Sequence, residues 1–143
     1  MKLKYPYRRF PCTPDEVFPD RHSILRPFID IAVKYKNEHQ RIWALLDTGS
    51  DWCVFPAQLG ELLGIPIKEG KQLPLVGISS QGIAYFHEVT LEIGGWSHNC
   101  LVGFCYDFDT MGTPPLLGHE GFFDRYKATF DYQKEIIEID RIA

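Results

Sequence analysis

At 143 residues the chain has the length of one domain, enough for a real core. An apolar fraction of 45% and a charged fraction of 24% are those of an ordinary soluble globular protein. A formal net charge of −4 argues against nucleic acid as the main partner, since the one basic cluster is Lys2, Lys4, Arg8 and Arg9, interleaved with aromatic residues.

The N-terminus lacks the apolar core of a secretory signal, and no stretch approaches the roughly 18 apolar residues of a membrane span. No membrane partner is expected. Cys12, Cys53, Cys100 and Cys105 show no C-x-x-C spacing, so thiols in a reducing cytoplasm are the expectation. His98, Cys100 and Cys105 are too few and too loosely spaced for zinc, and neither a metal nor another cofactor is expected.

Residues 1–22 carry Pro6, Pro11, Pro14 and Pro19 and read as an extended N-terminal arm, with a short strand around Leu3 to Arg9. The arm is either an interface element or an uncommitted tail. Residues 23–143 form the domain. Arg26 to Tyr35 reads as a strand with Pro27 at its start, and residues 37–40 as a polar turn. The returning strand, Arg41 to Leu46, delivers Asp47. Pro56 and Gly64 bracket a short helix with Leu59, Leu62 and Leu63 on one face.

Leu75 to Phe86 reads as a hairpin whose small polar tip is Ser79-Ser80-Gln81-Gly82. Val89 to Ile93 alternates as a half-exposed strand, turns at Gly94-Gly95 and pairs with Asn99 to Phe104. Tyr106 to Pro115 reads as a loop; its Asp107 and Asp109 lack the further oxygen ligands of a calcium loop. Leu116-Leu117-Gly118 is a short buried strand, His119 to Tyr126 a short helix, and the strands around residues 128–131 and 135–139 a closing hairpin. Many short strands with one or two short helices predict a mostly-β closed barrel.

Asp47-Thr48-Gly49-Ser50 interrupts an apolar run that resumes at Trp52-Cys53-Val54-Phe55. A carboxylate at a strand's end needs donors, which Thr48 and Ser50 supply, while Gly49 lets another backbone come close. The tripeptide alone is equally an Asx turn closing a hairpin. With its apolar flanks, however, the stretch resembles the active-site segment of aspartic proteases. Leu116-Leu117-Gly118, about 70 residues on, resembles the apolar-apolar-Gly motif that lies beside the catalytic loop in that family. The string from Phe122 to Asp131 is similar to the helix and strand that come after that motif in the family, and the resemblance runs from about Ile24 to Ile139.

The resemblance implies an aspartic endopeptidase with a closed acid-protease barrel. Asp47, Thr48 and Gly49 are then the catalytic segment, and Ser50, Asp51, Trp52, Gly77, Ile78, Ser79, Gly82 and Ile83 contact a peptide or protein substrate. The hairpin at residues 75–86 is the flap, and Leu116, Leu117, Gly118 and His119 support the catalytic loop. Ser50 is expected to donate to the outer oxygen of Asp47. No second Asp-Thr-Gly exists in the chain, so the second carboxylate comes from a second copy, as in the retropepsin branch, and the partner is a homodimer mate. The family's usual Arg after Leu-Leu-Gly is His119 here, which puts a fixed-charge pair with Asp51 in doubt. The competing reading is a catalytically idle retropepsin-like dimerisation or peptide-binding module.

Overall fold

The computed structural model describes residues 2–76 and 81–142 of the chain. Lys2–Pro6 (β1) and Arg8–Pro11 (β2) are both extended, so the N-terminal segment holds two strands rather than one. Ser23–Arg26 (β3) pairs antiparallel with β2, making a two-stranded ribbon. Pro27 comes next; its missing N–H breaks the ladder before Phe28–Tyr35 (β4) begins. In β4, Phe28, Ile29, Ile31, Ala32 and Val33 are all buried, the pattern of a strand covered on both faces.

Glu38–Leu46 (β5) returns antiparallel, from Tyr35 opposite Glu38 to Phe28 opposite Leu45. Its turn lies at residues 36–37, with Lys36 at φ 52°, so the hairpin is tighter than the polar run suggests. Cys53–Pro56 (β6) leads into Ala57–Leu62 (α1), with Pro56 at its N-cap and Gly64 at φ 77° just beyond its end. Leu59 and Leu63 are buried but Leu62 is 59% exposed, so the expected three-leucine face has two members.

Lys71–Val76 (β7) pairs with the start of Gln81–Ile93 (β8), from Lys71 opposite Phe86 to Val76 opposite Gln81. Trp96–Cys105 (β9) returns along β8 after Gly94, which turns the chain at φ 61°. Tyr106–Met111 is a second helix (α2) where a loop is expected from sequence, and Gly112 closes it at φ 69°. Leu116–Leu117 (β10), Tyr126–Asp131 (β11) and Ile136–Arg141 (β12) complete the chain. The helix expected over His119 to Tyr126 is absent. Residues 121–125 are turns, with Phe123 N–H bonded to Gly118 O and Asp124 N–H to His119 O, and Tyr126 already belongs to β11.

Hydrogen bonding runs β4-β5-β10-β6-β9-β8, and a β4–β8 pairing closes the ring. The mostly-β closed barrel is therefore present, with β7 outside it on β8. Ile29, Ile31, Phe55, Phe104, Leu91 and Leu117 fill the interior. A second sheet, β1-β12-β11, covers one end and contributes Ile137 and Ile139 to the same core. The first strand thus pairs with the last, Leu3 opposite Ile139. No helix among the described residues is long and apolar enough to cross a membrane.

The turn after β10 is pinned by His98 of β9. His98 Nε2 donates to Gly121 O at 2.6 Å, and Nδ1 accepts from the Tyr126 hydroxyl at 3.1 Å. Burial pushes its pKa below the ordinary histidine value; the Gly121 carbonyl opposes this and the Arg125 charge adds to it. A depressed folded value means that stability is fully present above the unfolded pKa, roughly 6.5, and is lost as pH falls through the lower folded one. The urea midpoint of the parent should therefore drop between about pH 7.5 and pH 5 by more than that of His98→Gln. Equal drops would show that another group carries the acid sensitivity.

Candidate active site

Asp47 comes directly after β5, and its position is set by main-chain bonds rather than by its side chain. Leu45 N–H bonds Pro115 O at 2.8 Å, Leu46 N–H bonds Pro27 O at 3.0 Å, and Asp47 N–H bonds Leu117 O at 2.9 Å. β10 lies between β5 and β6, parallel to the first with Leu117 beside Leu46, and antiparallel to the second with Leu116 beside Val54. Leu116 and Leu117 are both buried. The two sequence motifs are thus neighbours in space, and the apolar pair anchors the loop that carries the carboxylate.

Within the loop, Gly49 N–H donates to Asp47 Oδ1 at 2.9 Å and Ser50 N–H donates to Asp47 O at 3.2 Å. That is the Asx-turn geometry allowed for by the sequence. Ser50 is buried, and its hydroxyl donates to Trp52 O at 2.6 Å. The expected bond from Ser50 to the Asp47 carboxylate is not made; a carbonyl two residues on accepts the hydroxyl's hydrogen bond because the loop folds back at once into β6. Thr48 and Gly49 are exposed and Asp47 is half-buried. Among the described residues the Gly49 bond is the Asp47 carboxylate's one hydrogen bond.

Gly118 passes beneath this loop. A Cβ there would collide with the Trp52 carbonyl oxygen and lie 2.5 Å from Ser50 O. Next, His119 N–H bonds Ser50 O at 2.9 Å, Glu120 N–H bonds Asp51 O at 3.0 Å, and Trp52 bridges Glu120 in parallel. The support between the motifs is therefore main-chain. His119 Nδ1 and Asp51 Oδ1 are 4.0 Å apart with both side chains mostly in water, and such a pair contributes little. The contact exists, but the loop does not depend on it.

Two grooves flank Trp52. One, of about 540 Å³, is bordered by Asp51, Trp52, His119, Glu120, Phe123 and Asp124. The other, of about 350 Å³, runs from Trp52 and Glu120 to Lys71, Leu73, Phe86 and Leu101. Trp52 meets the Phe86 ring edge-on at 6.0 Å, so it forms the wall between them. Of the expected substrate-contact residues, Asp51 and Trp52 line grooves. Gly82 and Ile83 lie at the start of β8, opposite Leu75 and Pro74 of β7, where Ile83 is exposed. Gly77, Ile78 and Ser79 fall outside the described residues.

Glu120, Leu73, Phe86 and Leu101 were not legible as groove residues in the sequence. Glu120 stands two residues after the Leu116-Leu117-Gly118 motif, a usable signal; the other three need the β7–β8–β9 register to be known. α2 also belongs to the site's frame. Its Phe108 packs with Val54, Leu75, Ala84 and Leu116 in a small core beneath the hairpin, with Trp52 and Phe86 against it. Asp107 approaches Gly82, whose φ of 114° and lack of a Cβ leave room for the carboxylate. Asp109 accepts from Gln58 N–H at 3.2 and 3.3 Å, which ties α2 to the start of α1. Cys53 and Cys100 lie outside the site. Both sulfurs are close to Gly121, and burial raises both thiol pKa values, that of Cys100 to about 12, leaving them unreactive.

The closed barrel is consistent with a retropepsin-like fold. The crystal structure of a retropepsin-like aspartic protease from Rickettsia conorii has the same fold, with a TM-score of 0.55 at 15% sequence identity over 97% of this chain and 91% of that one. No family model matches the chain, and neither does any curated protein sequence.

Proposed function

We propose that the chain is an aspartic endopeptidase acting as a homodimer, with one Asp47 from each subunit forming the catalytic pair. The observation that supports this reading is the loop itself, which presents a half-buried carboxylate with one internal hydrogen bond beside exposed Thr48 and Gly49. A second copy related by a twofold axis supplies the second carboxylate and lets the Thr48 hydroxyls bond across the axis.

The chemistry comes from that pairing. Two carboxylates at short range share one proton, because both cannot ionise comfortably. The ionised member takes a proton from water as the water oxygen attacks the peptide carbonyl carbon. The protonated member hydrogen-bonds the developing oxyanion. The tetrahedral intermediate then collapses, the C–N bond breaks, and the nitrogen leaves with a proton from the pair. Both titrations belong to the dyad, not to either residue. The β7–β8 hairpin is the flap and the grooves beside Trp52 receive substrate side chains.

Assembly supplies the test. Peptidase activity at mildly acid pH should fall more steeply than linearly on dilution, tracking dimer dissociation measured by sedimentation. A monomer that stays fully active at nanomolar concentration would overturn the shared pair. A stable dimer that binds peptides and cleaves none would establish the idle binding module instead.

A further inference from the structure

A third groove, of about 460 Å³, opens beside Leu45, two residues before Asp47. The barrel lines it with Phe28, Leu45 and Pro114, and the β2–β3 ribbon lines it with Phe10, Pro11 and Ile24. Phe28 is directly opposite Leu45, so the floor of this groove is part of the strand pair that delivers the carboxylate.

The ribbon is a fixed wall. Phe10 sits opposite Ile24 across the ribbon, and its ring meets that of Phe28 at 5.3 Å. Arg8 holds Phe10 from the side, its guanidinium 5.3 Å from that ring and 4.2 Å from the Trp43 ring. On the other face Arg9 bonds Ser23 Oγ at 2.7 Å and Glu135 Oε1 at 2.8 Å. Tyr7 N–H adds a bond to Glu135 O at 2.9 Å. These contacts anchor the ribbon to the turn before β12, and a wall held in place before binding costs little order when a ligand arrives.

We propose that the β2–β3 ribbon is a specificity element, in which Phe10 and Ile24 form the outer wall of a subsite for one apolar side chain of the peptide held at Asp47. The proposal rests on the endopeptidase reading. Apart from Arg26 at the exposed mouth, the lining side chains offer no hydrogen-bond donor. A polar side chain seated there would find no side-chain partner except Arg26, so an apolar side chain fits the groove better. Continuity with the strand of Asp47 makes a substrate the occupant, and gives residues 8–26 a role in selecting it.

The test compares the parent with Phe10→Ala and Phe10→Trp on peptides that vary one position through Ala, Leu, Phe and Trp, well above the dimer dissociation constant. Binding of the same labelled peptides to Asp47→Asn, with and without Phe10→Ala, runs in parallel. Phe10→Ala should raise the kcat/KM ratio for Trp over Leu at one position by about tenfold. Phe10→Trp should lower it, and preferences elsewhere should stay put. If Phe10→Ala fails to fold, Ile24→Val and Phe10→Trp carry the comparison. Parent-like profiles in all folded variants would overturn the ribbon's role while leaving the protease intact. An unchanged profile with a shifted dimer dissociation constant would also overturn it, making the ribbon a subunit contact. No cleavage by the parent, with peptide binding that still shifts on Phe10→Ala, would overturn the protease and keep the subsite. Neither cleavage nor binding would overturn both.

Discussion

Asp47→Asn should lower peptidase activity by about 10²- to 10⁴-fold, the contribution typical of a positioned acid–base group, and leave the melting temperature nearly unchanged. The fold is indifferent to the change because the bonds that set the loop are main-chain. Asp47 N–H to Leu117 O and Ser50 N–H to Asp47 O survive it, and an Asn Oδ1 still accepts from Gly49 N–H. In the proposed mechanism, the loss is the ionisable oxygen that would take water's proton. Shared catalysis sharpens the expectation. Excess Asp47→Asn subunits mixed with parent should suppress activity beyond simple dilution, because each mixed dimer would have one carboxylate where the proposed pair needs two. Undiminished cleavage by Asp47→Asn would remove Asp47 from the chemistry, and activity proportional to parent chains alone would remove the pair.

The features that could be read from the chain are those written locally. The β4–β5 hairpin, the turn at Asp47, the helix between Pro56 and Gly64, and the β8–β9 hairpin each carry their own strand, cap or turn signals. Where the structure departs from these signals, the reasons are equally physical. Phe122, Phe123 and Tyr126 have helical spacing, but the preceding residues are already committed to the Ser50–Trp52 main chain, and Gly121 sits at φ 106°. Tyr126 enters β11 opposite Arg141, so no length of chain remains for a helix. α2 does carry local signals, Asp107 and Asp109 in its first turn and Gly112 just past its end, but two carboxylates at i and i+2 fit a loop equally well. The pairing of β1 with β12 and the ribbon's place beside Leu45 join distant segments, and no local pattern announces them.

The same contrast decides where a single methyl group does most harm. Gly118→Ala should destabilise the fold by about 3 kcal/mol or more and abolish activity with it. The new Cβ would press on the Trp52 and Ser50 carbonyl oxygens, which are backbone and cannot swing aside as a side chain can. Relief requires residues 118–120 to move off the loop. That breaks the bonds from His119 N–H to Ser50 O and from Glu120 N–H to Asp51 O, and loosens the neighbouring bond from Asp47 N–H to Leu117 O. Ser50 would then be left with an unpaired buried carbonyl, a further cost. His119→Ala is the control, since it keeps every main-chain bond and removes a 4.0 Å contact with Asp51 in water and an edge-on contact with the Phe123 ring at 6.2 Å. Urea denaturation of the two variants beside the parent should place His119→Ala close to the parent and Gly118→Ala far below it. If the order were reversed, the loop would be held by the charged pair, and the main-chain brace would be the wrong account of how Asp47 is positioned.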